Sequence, residues 1–122
     1  MLIASFTILT AAVLLGSALA VLHLRSKGGT PWALAALHGL LGIAGLICLI
    51  LALGGPVLGV DQGVGAFGTI AATLIALAML FGGGLLAMRC FKNRRFSELL
   101  LGTHATLAVG GFVFLAVYVL LG

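Results

Sequence analysis

Apolar residues form four long runs in this chain, and the short segments between the runs carry most of the charged and turn-forming residues. The runs cover about residues 2–24, 31–53, 66–88 and 98–121. A helix needs about 20 residues to cross a hydrocarbon core of roughly 30 Å, so each run is long enough for one span. None of the runs shows the period-two alternation of a membrane β-barrel. The pattern predicts an all-α integral membrane protein, a four-helix bundle forming one transmembrane domain over residues 1–122.

The positions of the cationic residues predict how these helices are oriented. All six Lys and Arg residues lie in two segments, Arg25 to Lys27 and Arg89 to Arg95. Short cytoplasmic loops are enriched in Lys and Arg, so both segments are expected in the cytoplasm. The amino terminus, the loop around Asp61 and the carboxyl terminus are then expected outside, in the periplasm. We therefore predict a multi-pass protein of a bacterial inner membrane.

Composition limits the partners of the chain. With 63% hydrophobic and 7% charged residues, it lacks the polar surface of a soluble domain. The formal net charge is +4, but the cations adjoin predicted spans. Membrane topology and anionic lipid headgroups explain such cations better than nucleic acid does. The expected surroundings are the lipid bilayer and other membrane subunits.

The acidic residues are too few for most catalytic sites. Asp61 and Glu98 are the two carboxylates of the sequence, and the predicted topology places them on opposite sides of the membrane. This excludes a carboxylate pair and a nucleophile–His–acid triad. The predicted spans also lack the embedded acidic residue on which proton-coupled export depends. We expect a non-catalytic membrane subunit rather than an enzyme.

A shift of 66 residues superimposes the first predicted hairpin on the second without a gap. The shift matches Gly16 with Gly82, Leu19 with Leu85, His38 with His104, Leu41 with Leu107, Gly45 with Gly111 and Leu49 with Leu115. Matches of Gly and Leu are expected by chance in this composition, but the chain has just three His residues, so the His match is informative. A duplication would give two parallel-related hairpins with an axis along the membrane normal. The second and fourth helices would then be equivalent.

The two matched His residues are candidate ligands. His38 lies seven residues after Pro31, and His104 lies seven residues after Ser97. At 1.5 Å per residue, each is about 10 Å inside its predicted helix. Imidazole is a common axial ligand of haem iron. We therefore predict that His38 and His104 bind a metal-containing cofactor at one level of the membrane.

Small residues share the predicted helical face of each His. They lie four and seven residues further along the chain, at Gly42 and Gly45 in the second helix and at Ala108 and Gly111 in the fourth. Absent side chains would leave room for the edge of a flat macrocycle. The alternative is that these residues only let spanning helices pack closely, without any cofactor.

A third His lies at a different depth. His23 is two residues before Arg25, at the basic end of the first helix. Together with Arg25 and Arg89, it is a candidate hydrogen-bond partner for haem propionates. The alternative is an ordinary His at the level of the lipid headgroups.

On His38, His104 and their neighbouring glycines, the chain resembles the small four-helix membrane cytochromes of the b type. The resemblance implies one haem b between the second and fourth helices, with electron transfer to a partner protein or a quinone. Two-haem cytochrome b561 families carry further His residues near the opposite membrane face, and this sequence has none there, so at most one haem is implied.

Two other interpretations stay open. The protein is a structural or assembly subunit of a respiratory or photosynthetic complex, docked through Gly-rich helix faces and holding no cofactor. Alternatively, the His pair binds a (bacterio)chlorophyll, whose magnesium also accepts imidazole.

Overall fold

The computed structural model describes residues 1–25, 30–88 and 94–122. Within these ranges the secondary structure is helical, without strands, and comprises α1 (Leu2–Arg25), α2 (Trp32–Leu53), α3 (Phe67–Met88) and α4 (Arg94–Leu121). Each helix contains a segment long and apolar enough to cross a membrane. The prediction of an all-helical protein with four membrane-spanning helices is confirmed.

The helix ends follow the polar boundaries of the apolar runs closely at α1, α2 and α3. The helix α2 begins at Trp32, and Pro31 precedes it with φ −56° and ψ 122°. The main difference is at α4, which begins at Arg94 rather than near residue 98. An apolar run marks where the hydrocarbon core ends, whereas helical hydrogen bonding continues into the headgroup region.

The four helices pack in a ring. In the described residues α1 packs on α2, α3 on α4, α2 on α3 and α1 on α4, whereas the pairs α1–α3 and α2–α4 make no close backbone contact. The Ser5 hydroxyl near the start of α1 donates to the Gly45 carbonyl near the end of α2 at 2.8 Å, so these two helices run in opposite directions. Because α2 and α4 are diagonal, only their side chains reach each other across the centre of the bundle.

The hydrophobic core is concentrated near the chain termini. Its central cluster contains Leu9, Leu49, Ala71, Ile75 and Leu115. The rings of Phe6 and Phe112 stack beside this cluster, with centroids 5.5 Å apart and planes 7° apart.

The other part of the bundle is packed more loosely. We call it the basic half, and it consists of residues 16–25, 30–38, 82–88 and 98–104. Leu19 is the one residue in these ranges that is buried. The remaining described residues form the terminal half, which contains every other buried side chain of the described structure.

The loop between α2 and α3 is held against the terminal half. Gly59 and Gly63 have φ values of 68° and 73°, which side chains other than Gly rarely adopt. The N–H of Leu58 donates to the Tyr118 hydroxyl at 3.2 Å. Val64 is 5% exposed and Tyr118 3% exposed, so the loop covers this end of the bundle.

Candidate functional site

The structure brings His38 and His104 together across the centre of the bundle. Their ring centroids are 5.9 Å apart, and the ring planes are inclined at 83°. His38 belongs to α2 and His104 to α4, the diagonal pair of helices. Both side chains are half-buried at the boundary between the terminal and basic halves. Although α4 begins a turn earlier than expected, the two rings lie side by side.

Each imidazole is anchored by a hydrogen bond to the backbone of an adjacent helix. Nδ1 of His38 is 2.9 Å from the carbonyl oxygen of Ala12, and Nδ1 of His104 is 2.6 Å from that of Ala78. A carbonyl oxygen only accepts, so Nδ1 carries the proton and donates it in both rings. In the neutral ring, Nε2 then bears the free lone pair. Metal-binding His residues usually donate their other ring N–H in this way.

Two glycines lie directly against these imidazoles. A Cβ at Gly16 would be 2.7 Å from Cε1 of His38, and one at Gly82 would be 3.0 Å from Cε1 of His104. Sequence reasoning paired these glycines in the repeat but did not assign them to the site. The available signal was their position four residues after Ala12 and Ala78, on the same helical face as the accepting carbonyls.

The glycines predicted to cradle a macrocycle have different surroundings. A Cβ at Gly45 would be 2.5 Å from Cγ of Leu9, and one at Gly111 would be 2.8 Å from Cγ1 of Ile75. The space at these two glycines is therefore filled by α1 and α3, and both serve helix packing. A Cβ at Gly42 would have no heavy atom within 4 Å, so open space remains one turn from His38.

The predicted polar partners at the basic end are placed in part. His23 and Arg25 are exposed in the last turn of α1. His23 follows Gly16 by seven residues, which puts it on the same face of α1 and about 10 Å closer to the basic end. Arg89 lies outside the described residues.

The contacts around the site recur after the 66-residue shift. Both imidazole hydrogen bonds join residues that are 26 positions apart. The matching contacts are Ala12–His38 with Ala78–His104, Gly16–His38 with Gly82–His104, and Leu9–Gly45 with Ile75–Gly111. One contact is not repeated, because Ser5, which donates to α2, is matched by Ala71.

No protein family, curated protein or solved structure matches this chain. The function therefore has to be argued from the chemistry of the site.

The donor set restricts what the site can bind. Among the residues that the structure describes, no group of three or more His, Cys, Asp and Glu is arranged to hold a metal ion. A protein-bound zinc ion usually takes at least three ligands from side chains. Two imidazoles from opposite sides suit a metal whose other ligands come from a macrocycle, as in a tetrapyrrole.

Proposed function

We propose that this protein is a small integral membrane subunit that binds one haem b, or a similar tetrapyrrole, between α2 and α4 and transfers electrons to a partner protein or a quinone. The observation that carries the proposal is the 5.9 Å separation of the His38 and His104 ring centroids. Two imidazoles that bind one metal from opposite sides have ring centres roughly 6 Å apart, because each metal–nitrogen bond is about 2 Å long.

The imidazole hydrogen bonds support this role. Donation from Nδ1 to Ala12 and Ala78 fixes each ring and leaves Nε2 as the ligand atom. When bound, the haem would supply one-electron chemistry between ferric and ferrous iron. With His38 and His104 on both axial positions, no position is left for oxygen. The proposed activity is therefore electron transfer rather than oxygen binding.

The loose packing of the basic half supports a location for the rest of the ring. Leu34, Leu85 and Leu100 belong to this half and are only partly buried. Propionates directed towards the basic end would meet His23 and Arg25, and the sequence adds Arg89 to this set. The tightly packed terminal half offers no comparable space in the described residues.

The depth of the site indicates where electrons enter and leave. His38 is six residues from Trp32, the first residue of α2, and fifteen residues from Leu53, the last. At 1.5 Å per residue these separations are about 9 Å and 22 Å. One haem at this depth does not connect the two membrane faces. Exchange at the basic end, with a partner subunit or a quinone, follows from the proposal.

We also propose that both basic segments face the cytoplasm and both termini lie outside, in a bacterial inner membrane. The segregation of all six cations supports this orientation. The contacts that recur after 66 residues support two parallel-related hairpins. Alkaline phosphatase, which is active only outside the cytoplasm, should be active when fused after Asp61 or Gly122 and inactive when fused after Lys27. The reverse pattern would refute the orientation.

The cofactor proposal is tested by spectroscopy. The protein is purified in detergent, loaded with haem and examined by reduced-minus-oxidised absorption. We expect sharp α and Soret bands of a six-coordinate haem, and their loss or conversion to a five-coordinate spectrum in both His38→Ala and His104→Ala. His23→Ala is the matched control and should keep both axial ligands. A folded protein that stays colourless after loading would refute the proposal.

A structural role is the second candidate. Large apolar side chains point away from the bundle on every helix, including Leu14 at 67%, Leu40 at 63%, Leu80 at 73% and Val113 at 53% exposure. Such surfaces suit lipid or neighbouring subunits. A colourless protein that migrates with a large membrane complex would favour this role. Far-red absorption without a redox response would instead indicate a chlorophyll.

A further inference from the structure

We infer that Gly16 and Gly82 are positioning residues that orient the two axial imidazoles. The inference rests on the proposed function and extends it to residues that do not touch the cofactor. Each glycine belongs to the helix whose carbonyl accepts the imidazole hydrogen bond, one turn from that carbonyl. The bare backbone and the carbonyl together fix where each ring lies.

The contacts show how little space a side chain would have. A Cβ at Gly16 would be 2.7 Å from Cε1, 3.2 Å from Nδ1 and 3.4 Å from Nε2 of His38. A Cβ at Gly82 would be 3.0, 3.1 and 3.9 Å from the same atoms of His104. Each ring is held by its Nδ1 hydrogen bond, so it cannot retreat without lengthening that bond or turning. An added methyl group therefore acts on the ring itself.

Turning the ring changes the proposed ligand in two ways. It weakens the Nδ1–H donation that sets the basicity of Nε2, and it redirects Nε2 away from the metal. Disturbing such outer-shell partners typically lowers metal affinity by about 10- to 100-fold. We expect a loss of haem affinity in this range for Gly16→Ala, and a smaller loss for Gly82→Ala because its closest contact is longer.

The chain offers matched controls for this effect. A Cβ at Gly39, next to His38, or at Gly83, next to Gly82, would meet no heavy atom within 4 Å. Gly39→Ala and Gly83→Ala make the same chemical change in open space. Gly45→Ala places a methyl group against Leu9, far from the imidazoles in the packed core. It reports the consequence of helix displacement alone.

The first measurement needs no cofactor. Nitrogen-15 NMR of His-labelled protein without haem distinguishes a ring protonated at Nδ1 from other forms. We expect Nδ1–H signals for His38 and His104 in the wild type, Gly39→Ala, Gly83→Ala and Gly45→Ala. Gly16→Ala should shift the His38 signals, and Gly82→Ala those of His104. Unchanged imidazole signals in both variants would overturn the inference.

The second measurement uses haem-loaded protein. Haem titration and electron paramagnetic resonance should show weaker binding and altered low-spin g values for Gly16→Ala and Gly82→Ala, while Gly39→Ala and Gly83→Ala match the wild type. Gly45→Ala should lower thermal stability without altering the g values. A wild type that binds no haem would refute the proposed function, whereas a wild type that binds haem with g values unaffected by both ring-contact variants would refute this inference alone.

Discussion

Leu115 tests how this bundle is held together in lipid. Its side chain is 0% exposed, and it belongs to the core cluster with Leu9, Leu49, Ala71 and Ile75. Leu115→Ala removes packing atoms from the place where α1, α2, α3 and α4 meet. No polar group is affected, so the loss of stability measures packing alone.

The expected magnitude depends on the solvent of the unfolded helices. In a water-soluble core, Leu→Ala costs about 2.7 to 5.0 kcal/mol, and the spread of roughly 2 kcal/mol reflects the cavity that remains. Separated helices stay in lipid, which is as apolar as Leu, so the transfer from water does not contribute. We expect Leu115→Ala to cost about 2 kcal/mol, or roughly 30-fold in the unfolding equilibrium constant.

Leu120 provides a control with identical chemistry on the same helix. It is 77% exposed, and Leu120→Ala should change stability by less than about 0.5 kcal/mol. Steric trapping of both variants in bicelles, without haem, measures the free energy of unfolding. Equal losses for the two variants would refute the packing described here. A cost near 5 kcal/mol for Leu115→Ala alone would refute the argument that transfer from water is absent.

Further predictions concern hydrogen bonding and ligand binding. Ser5→Ala should cost about 0.6 kcal/mol, the typical value for a hydrogen bond between spanning helices, because it removes the bond to Gly45 while Ala71 shows that a methyl group fits the equivalent position; steric trapping measures it, and a cost above about 2 kcal/mol contradicts the estimate. Tyr118→Phe removes the acceptor of the Leu58 N–H, so that amide should exchange hydrogen faster while core amides do not change. Haem at about 100 times its dissociation constant should stabilise the wild type by about 2.7 kcal/mol and leave variants lacking either axial imidazole much less affected.

The spans were predictable because a backbone in lipid must satisfy its own hydrogen bonds within each segment. Apolar length therefore located the described helices, and α2 and α3 begin within one residue of the expected positions. The start of α4 at Arg94 was not predictable from apolar length, since charged residues continue the helix beyond the hydrocarbon. The rotation of each helix was equally inaccessible, because apolar residues occupy its lipid-facing and buried sides alike.

The candidate site was predictable in its ligands and not in their support. His38 and His104 were recognisable because ionisable residues are rare in spans. Gly45 and Gly111 share their helical faces, but Leu9 and Ile75 fill the space that a macrocycle was expected to use. The support that matters comes from other helices, and contacts between helices depend on rotations that one sequence does not define. Gly16 could have been noticed only through its match in the repeat.

The division of the bundle into two halves gives a physical reason for the position of the His pair. A purely structural bundle would place apolar residues at these two central positions, since polar side chains in a membrane interior carry an energetic cost. The packed terminal half holds all four helices together without help from the basic half. Under the proposed function, the protein therefore folds before it receives its ligand and presents two oriented imidazoles at the inner end of a loosely packed space. The same arrangement explains why glycines adjoin the rings on α1 and α3, because any side chain there would displace the ligands.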